Sequence, residues 1–145
     1  MYFLCIDPGK HAFGWALFEG THLAACAYTK REALTNLRSL VVAAPFVVRI
    51  ERPQIYPHSK GDPNDLIDIA IFCGEAAYAF RAYEVEFVLP HAWKGSVPKK
   101  VMTDRILNRL TAVERQIVEA CGCPKSKIHN VLDAVGLGLW RLKRL

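Results

Sequence analysis

The chain has 145 residues, a length typical of one domain around one core, and 52% of them are apolar, with three Trp, five Tyr and seven Phe. That composition excludes disorder and low complexity, and the longest apolar runs, such as 40–48 with Pro45 inside, fall short of the roughly 20 residues that cross a bilayer. The net charge of +5 is uneven: residues 1–90 carry eight Lys/Arg against ten Asp/Glu, and residues 91–145 carry eleven against four. The second part is therefore a candidate polyanion surface, its plainer reading being a solvated helical face.

Residues 2–6 are apolar and β-prone and run into Asp7-Pro8-Gly9, so they predict a buried strand ending in a turn, with Asp7 at its carboxyl end. Neither a signal peptide nor a membrane anchor is read there. Residues 12–19 and 23–29, joined by the turn at Gly20, extend this into an antiparallel three-stranded meander. Residues 30–42 predict a helix from the stripe Ala33, Leu37, Leu40 and Val41. Residues 46–50 are a β-branched run that delivers Glu51 just before Pro53.

Residues 52–64 hold three Pro and a Gly and predict a loop facing the substrate beside Glu51. The segment Asp65–Tyr83 is apolar nearly all round, which predicts a helix packed on the sheet and on a second copy of the chain. Residues 84–89 predict the last strand, 91–97 a loop, and Pro98 the first position of a helix. Met102, Ile106, Leu110, Val113 and Ile117 step as one or two amphipathic helices. A turn at 121–127 and a terminal helix over 129–145 complete the order β-β-β-α-β-α-β-α-α, a single α/β domain. Five Cys, most in apolar surroundings, fit a reduced, cytoplasmic protein, and Cys121-Gly122-Cys123 lacks the spacing of a structural zinc site.

Asp7 and Glu51 both emerge at strand ends, where sites gather in open α/β sheets. Asp133 joins them from the terminal helix, sharing a face with His129 and Asn130. An acid among apolar helix residues needs a partner or a metal. Taken singly the plainer readings are a turn residue for Asp7, an ion pair with Arg49 or Arg52 for Glu51, and a salt-bridged surface acid for Asp133. Together they are hard oxygen donors suited to Mg²⁺ or Mn²⁺, with a pair of ions per site as the usual device for cutting phosphodiesters.

Cys5-Ile6-Asp7-Pro8-Gly9 with Phe13-Gly14-Trp15-Ala16, then Val48-Arg49-Ile50-Glu51-Arg52-Pro53, then Leu132-Asp133-Ala134-Val135-Gly136-Leu137-Gly138 resemble, in that order, the RuvC-type Holliday-junction resolvases of the ribonuclease H-like superfamily, in their small phage or prophage form. The resemblance implies a ribonuclease H-like fold with a mixed five-stranded sheet whose first three strands are antiparallel, flanked by helices. It implies a homodimer that makes paired, metal-dependent nicks in four-way DNA junctions and leaves 5′-phosphate ends. Asp7, Glu51 and Asp133 match the family's acidic positions. The family's further ligand, Asp or His, stands three residues before the last Asp; here that position is Asn130, with His129 as a neighbouring substitute. Lys99 and Lys100 stand where the family places a lysine near the scissile phosphate, with Lys94 as a second candidate. Arg52 and Tyr56, on the loop after Glu51, are the expected DNA contacts, Tyr56 as the stacking residue. Two alternatives remain: a related ribonuclease H-like nuclease acting on other branched DNA or structured RNA, and a junction-binding module without catalysis.

Overall fold

The structure, a computed structural model, describes residues 1–40, 46–81 and 83–145. Three strands, β1 (Tyr2–Asp7), β2 (Ala12–Glu19) and β3 (His22–Lys30), form an antiparallel meander. A 3₁₀ turn (Arg31–Ala33) leads into α1 (Leu34–Leu40), and β4 (Phe46–Glu51) then pairs parallel to β1. Next come α2 (Pro63–Ala79) and β5 (Glu84–Val88), parallel to β4. The chain closes with α3 (Pro90–Lys94), α4 (Lys99–Arg109), α5 (Ala112–Ala120) and α6 (Ile128–Arg141). The sheet order is β3-β2-β1-β4-β5, the mixed five-stranded sheet with an antiparallel first half that the resemblance implies.

Side-chain alternation gives the sheet two apolar faces and hence three layers. Leu4, Ile6, Phe13, Val48 and Ile50 pack with Leu34 and Leu37 of α1 and Phe72 and Ala76 of α2. Phe3, Cys5, Ala16 and Phe18 face the other way, against α4, α5 and a nearly all-buried α6. The parity matters for function: Asp7 follows Phe3 and Cys5 at intervals of two, and Glu51 follows Val47 and Arg49. Both acids therefore leave the sheet on its α6 side, and the β1/β4 register, Ile6 opposite Ile50, makes them neighbours. Parallel pairing of β1, β4 and β5 brings three carboxyl ends to one edge.

Several boundaries depart from the sequence-based expectation. The helix expected over 65–83 begins at Pro63, because Asp62 caps it by accepting from the Asn64 amide, and it ends at Ala79; Ala82 lies outside the described residues. The helix expected over 30–42 starts as a 3₁₀ turn, and its residues 41 and 42 also lie outside. Pro98 is the N-cap of α4 rather than its first residue. The expected loop over 91–97 contains the short helix α3, which Pro90 opens. The long stripe from Met102 splits into α4 and α5 at Thr111, whose hydroxyl accepts from the Glu114 amide while Glu114 accepts from the Thr111 amide, a capping box. The terminal helix stops at Arg141. No helix among the described residues is long and apolar enough to cross a membrane.

Candidate active site

Asp7 is buried at the end of β1. Burial pushes its carboxyl well above the usual range, and repulsion from Glu51 and then Asp133 adds to this, against the pull of Lys94 and Lys99. The three acids, 44 and 82 residues apart in sequence, thus share one electrostatic environment. The plainer reading of Glu51, an ion pair with Arg49 or Arg52, is not what forms: Arg49 pairs with Glu86 at 2.7 Å and lies over the Phe3 ring. Glu51 instead accepts from the Trp93 indole Nε1–H at 2.6 Å and from Lys94 Nζ at 3.2 Å. Burial raises the Glu51 carboxyl, and Lys94 and Trp93 pull it back.

Lys94 is the hinge of the arrangement, for its ammonium also donates to Asp133 Oδ2 at 2.9 Å. Burial lowers its pKa, but Glu51 and Asp133 outweigh burial and leave it raised, so it is a firmly held cation. Trp93 is held from behind. A Cβ at Gly136 would stand 2.7 Å from the Trp93 ring and 2.6 Å from Ile106, so this glycine of α6 admits the indole that orients Glu51. A second close approach sets α6 itself, since a Cβ at Gly14 would run into the Asn130 carbonyl. The glycines in the quoted Phe13-Gly14 and Val135-Gly136 pairs are therefore packing devices that bring Asp133 down onto the strand ends.

The remaining predicted residues divide. His129 is half-buried beside the acids; burial lowers its pKa, Lys99 adds to this, and Asp133 opposes. Asn130 spends its side-chain N–H on the Lys127 carbonyl at 3.3 Å. Lys99, exposed in the first turn of α4, is among the charges acting on Asp7 and on His129, and Lys100 beside it is exposed. Arg52 and Tyr56 are exposed on the loop after Glu51, and the Tyr56 hydroxyl meets Gln54 at 3.4 Å. Trp93 is a core residue that also orients Glu51, a role the sequence reading did not assign to it. The available signal was its place directly before Lys94, in the segment that follows β5.

The donor set is that of a hard divalent cation, three carboxylates of which two already share a positive charge. Among the described residues no three His, Cys, Asp or Glu side chains are gathered as ligands of one ion; the cation between Glu51 and Asp133 is Lys94. Carboxylate oxygens are the donor chemistry that Mg²⁺ or Mn²⁺ takes, and Lys94 marks one cation position between Glu51 and Asp133.

No protein-family profile matches the sequence, and no curated protein matches it either. Solved structures do. Thermus thermophilus RuvC is similar over 99% of this chain and 98% of its own, at 15% identity and a TM-score of 0.56. The same protein in complex with a Holliday junction substrate matches over 99% and 96%, at 14% identity and a TM-score of 0.62. The fowlpox virus Holliday junction resolvase matches over 99% and 98%, at 19% identity and a TM-score of 0.58. The chain has the ribonuclease H-like fold of the RuvC-type resolvases.

Proposed function

We propose that this chain is a single-domain, structure-specific endonuclease that resolves four-way DNA junctions by paired nicks leaving 5′-phosphates. The observation that carries the reading is that Glu51 and Asp133 share the Lys94 ammonium while the buried Asp7, at the end of β1, feels the charge of both; these three acids would hold the ions. Bound Mg²⁺ or Mn²⁺, as a pair of ions, would supply an activated water and charge stabilisation at the leaving 3′ oxygen. The protein's own part is positional. Trp93 fixes the rotamer of Glu51, the α6 backbone seated on Gly14 fixes Asp133, and Asp7 is walled from bulk water. Asn130 and His129 are the candidates for a further neutral ligand beside Asp133.

Lys99, whose charge acts on Asp7, is the better candidate for a scissile-phosphate contact, with Lys100 and Arg52 contacting the flanking backbone. Tyr56, 48% exposed, is free to stack on an unpaired base. The second protomer is assigned to α2: Ile67, Ile71 and Tyr78 are more than half exposed, and Ile67, with Ile55, Phe87 and Leu89, borders a cavity of about 760 Å³ beside β5.

The test is nicking of labelled four-way junction, fork, linear duplex and structured RNA with Mg²⁺, Mn²⁺ or EDTA. Symmetric, metal-dependent nicks confined to the junction are expected. Cutting of RNA alone would move the activity to the alternative nuclease class, and tight junction binding without cutting under any metal would leave only a binding module. Within this reading, Trp93→Phe keeps the ring and removes the donor to Glu51, so junction nicking should slow by about 10- to 100-fold. Single-turnover kinetics would check this, and an unchanged rate would deny Trp93 its orienting role.

A further inference from the structure

We propose that Lys94 is a resident counter-ion of the acidic site, which holds Glu51 and Asp133 in the absence of metal and is displaced when a divalent cation binds between them. The inference rests on the metal-dependent reading above and concerns the regulation of that site.

Two contacts carry it. Lys94 Nζ lies 3.1 Å from Glu51 Oε2 and 2.9 Å from Asp133 Oδ2, so the ammonium stands between the two carboxylates that the metal reading needs. These are charge-assisted contacts in a half-buried setting, where each side chain is 23% exposed or less. An ammonium and a divalent cation sharing one position repel strongly at such separations, and each carboxylate has a limited set of lone pairs to give. Occupation by metal and by Lys94 is therefore mutually exclusive.

The setting also allows the lysine to leave. Trp93 is anchored in the core, but Lys94 is the last residue of the one-turn α3, followed by Gly95 in the left-handed region at φ 58°. Its four-carbon stem turns without moving the backbone, and its ammonium is readily rehydrated, unlike the forked grip of an arginine. The other charged groups bearing on the cluster are Asp7, an acid that remains to bind metal, and Lys99 on α4. One consequence follows for each state. The metal-free protein keeps Glu51 and Asp133 paired with a cation and stays folded, and metal affinity is lowered by the competition.

The direct test uses wild-type protein. A short pulse of an N-hydroxysuccinimide acetate is applied across a Mn²⁺ titration, and acetylation of Lys94 is read by peptide mass spectrometry against Lys10, which pairs with Asp65 and Asp68. Lys94 labelling is expected to rise about fivefold or more at saturation, with Lys10 unchanged. In parallel, calorimetry should show Mn²⁺ binding about tenfold tighter to Lys94→Met than to wild type, and the variant's metal-free Tm should fall. Constant Lys94 labelling across a titration in which calorimetry shows Mn²⁺ binding overturns the displacement and leaves the metal reading standing. No binding heat in either protein overturns both. The labelling arm needs no variant, so the inference is decided even where Lys94→Met does not fold.

Discussion

Asp7→Asn is expected to lower junction nicking by on the order of 10³-fold or more, since even groups that only orient a ligand cost about 10- to 100-fold when removed. The same substitution should stabilise the metal-free protein. Asp7 is buried and its carboxyl is pushed well above its ordinary 3.8 by desolvation and by Glu51 and Asp133. The sign is that of a raised acid: its contribution to stability falls as pH climbs through the folded-state value, so at neutral pH the charge is a burden on the fold. Replacing it with a neutral isostere relieves that burden by about 1–2 kcal/mol, a rise in Tm of roughly 3 °C or more. Thermal melts in EDTA and single-turnover cleavage in Mg²⁺ check the two halves. Full cleavage by Asp7→Asn would remove Asp7 from the site.

Arg144→Ala should cost about 3–5 kcal/mol of stability, the range for breaking a buried ion pair by removing one partner. Glu114 is 2% exposed and accepts four contacts: the Leu23 amide at 2.9 Å, the Thr111 amide at 2.9 Å, and both Arg144 guanidinium nitrogens at 2.8 and 2.7 Å. Arg144 also donates to the carbonyls of Thr21 at 2.8 Å and Arg109 at 2.9 Å, so one side chain ties α4, α5 and the β2–β3 turn to the segment after α6. The Arg144 contacts are the largest cause holding the Glu114 carboxyl down to about 2 from an ordinary 4.5. A depressed acid stabilises above its unfolded value, so this contribution, about 3 kcal/mol, is present above about pH 4.5 and is lost as pH falls toward about 2. Denaturant melts of wild type and Arg144→Ala between pH 7 and pH 3 check it. The gap between the two proteins should narrow with acid, and a constant gap would mean that Arg144 acts through its carbonyl contacts alone.

The two salt-bridge systems differ in what they serve. Arg144 and Glu114 are far from the strand ends and satisfy each other, so the pair adds stability. Lys94 leaves its three acids with an excess of negative charge, and that imbalance is what a divalent cation would correct.

The sequence by itself determined the strand order and the longer helices, the meander, the positions of Asp7 and Glu51 at strand ends and the placement of Asp133 on a buried helix. Each of these follows from short-range periodicity and from Pro and Gly punctuation, which act over a few residues and are written locally. Tertiary structure alone decided the partners. Glu51 bonds to Trp93 and Lys94 and not to Arg49 on the same strand, because the β4/β5 register sets Arg49 opposite Glu86 while α3, too short to show any periodicity, folds back over the strand ends. Glu114 reads as an ordinary polar residue of an amphipathic helix until Arg144, 30 residues later, buries it. Glycines 14 and 136 read as family signature letters, and only the packed helix shows that each leaves room for a backbone or a ring. Contacts across tens of residues are set by how layers pack, and no local pattern in the chain encodes them.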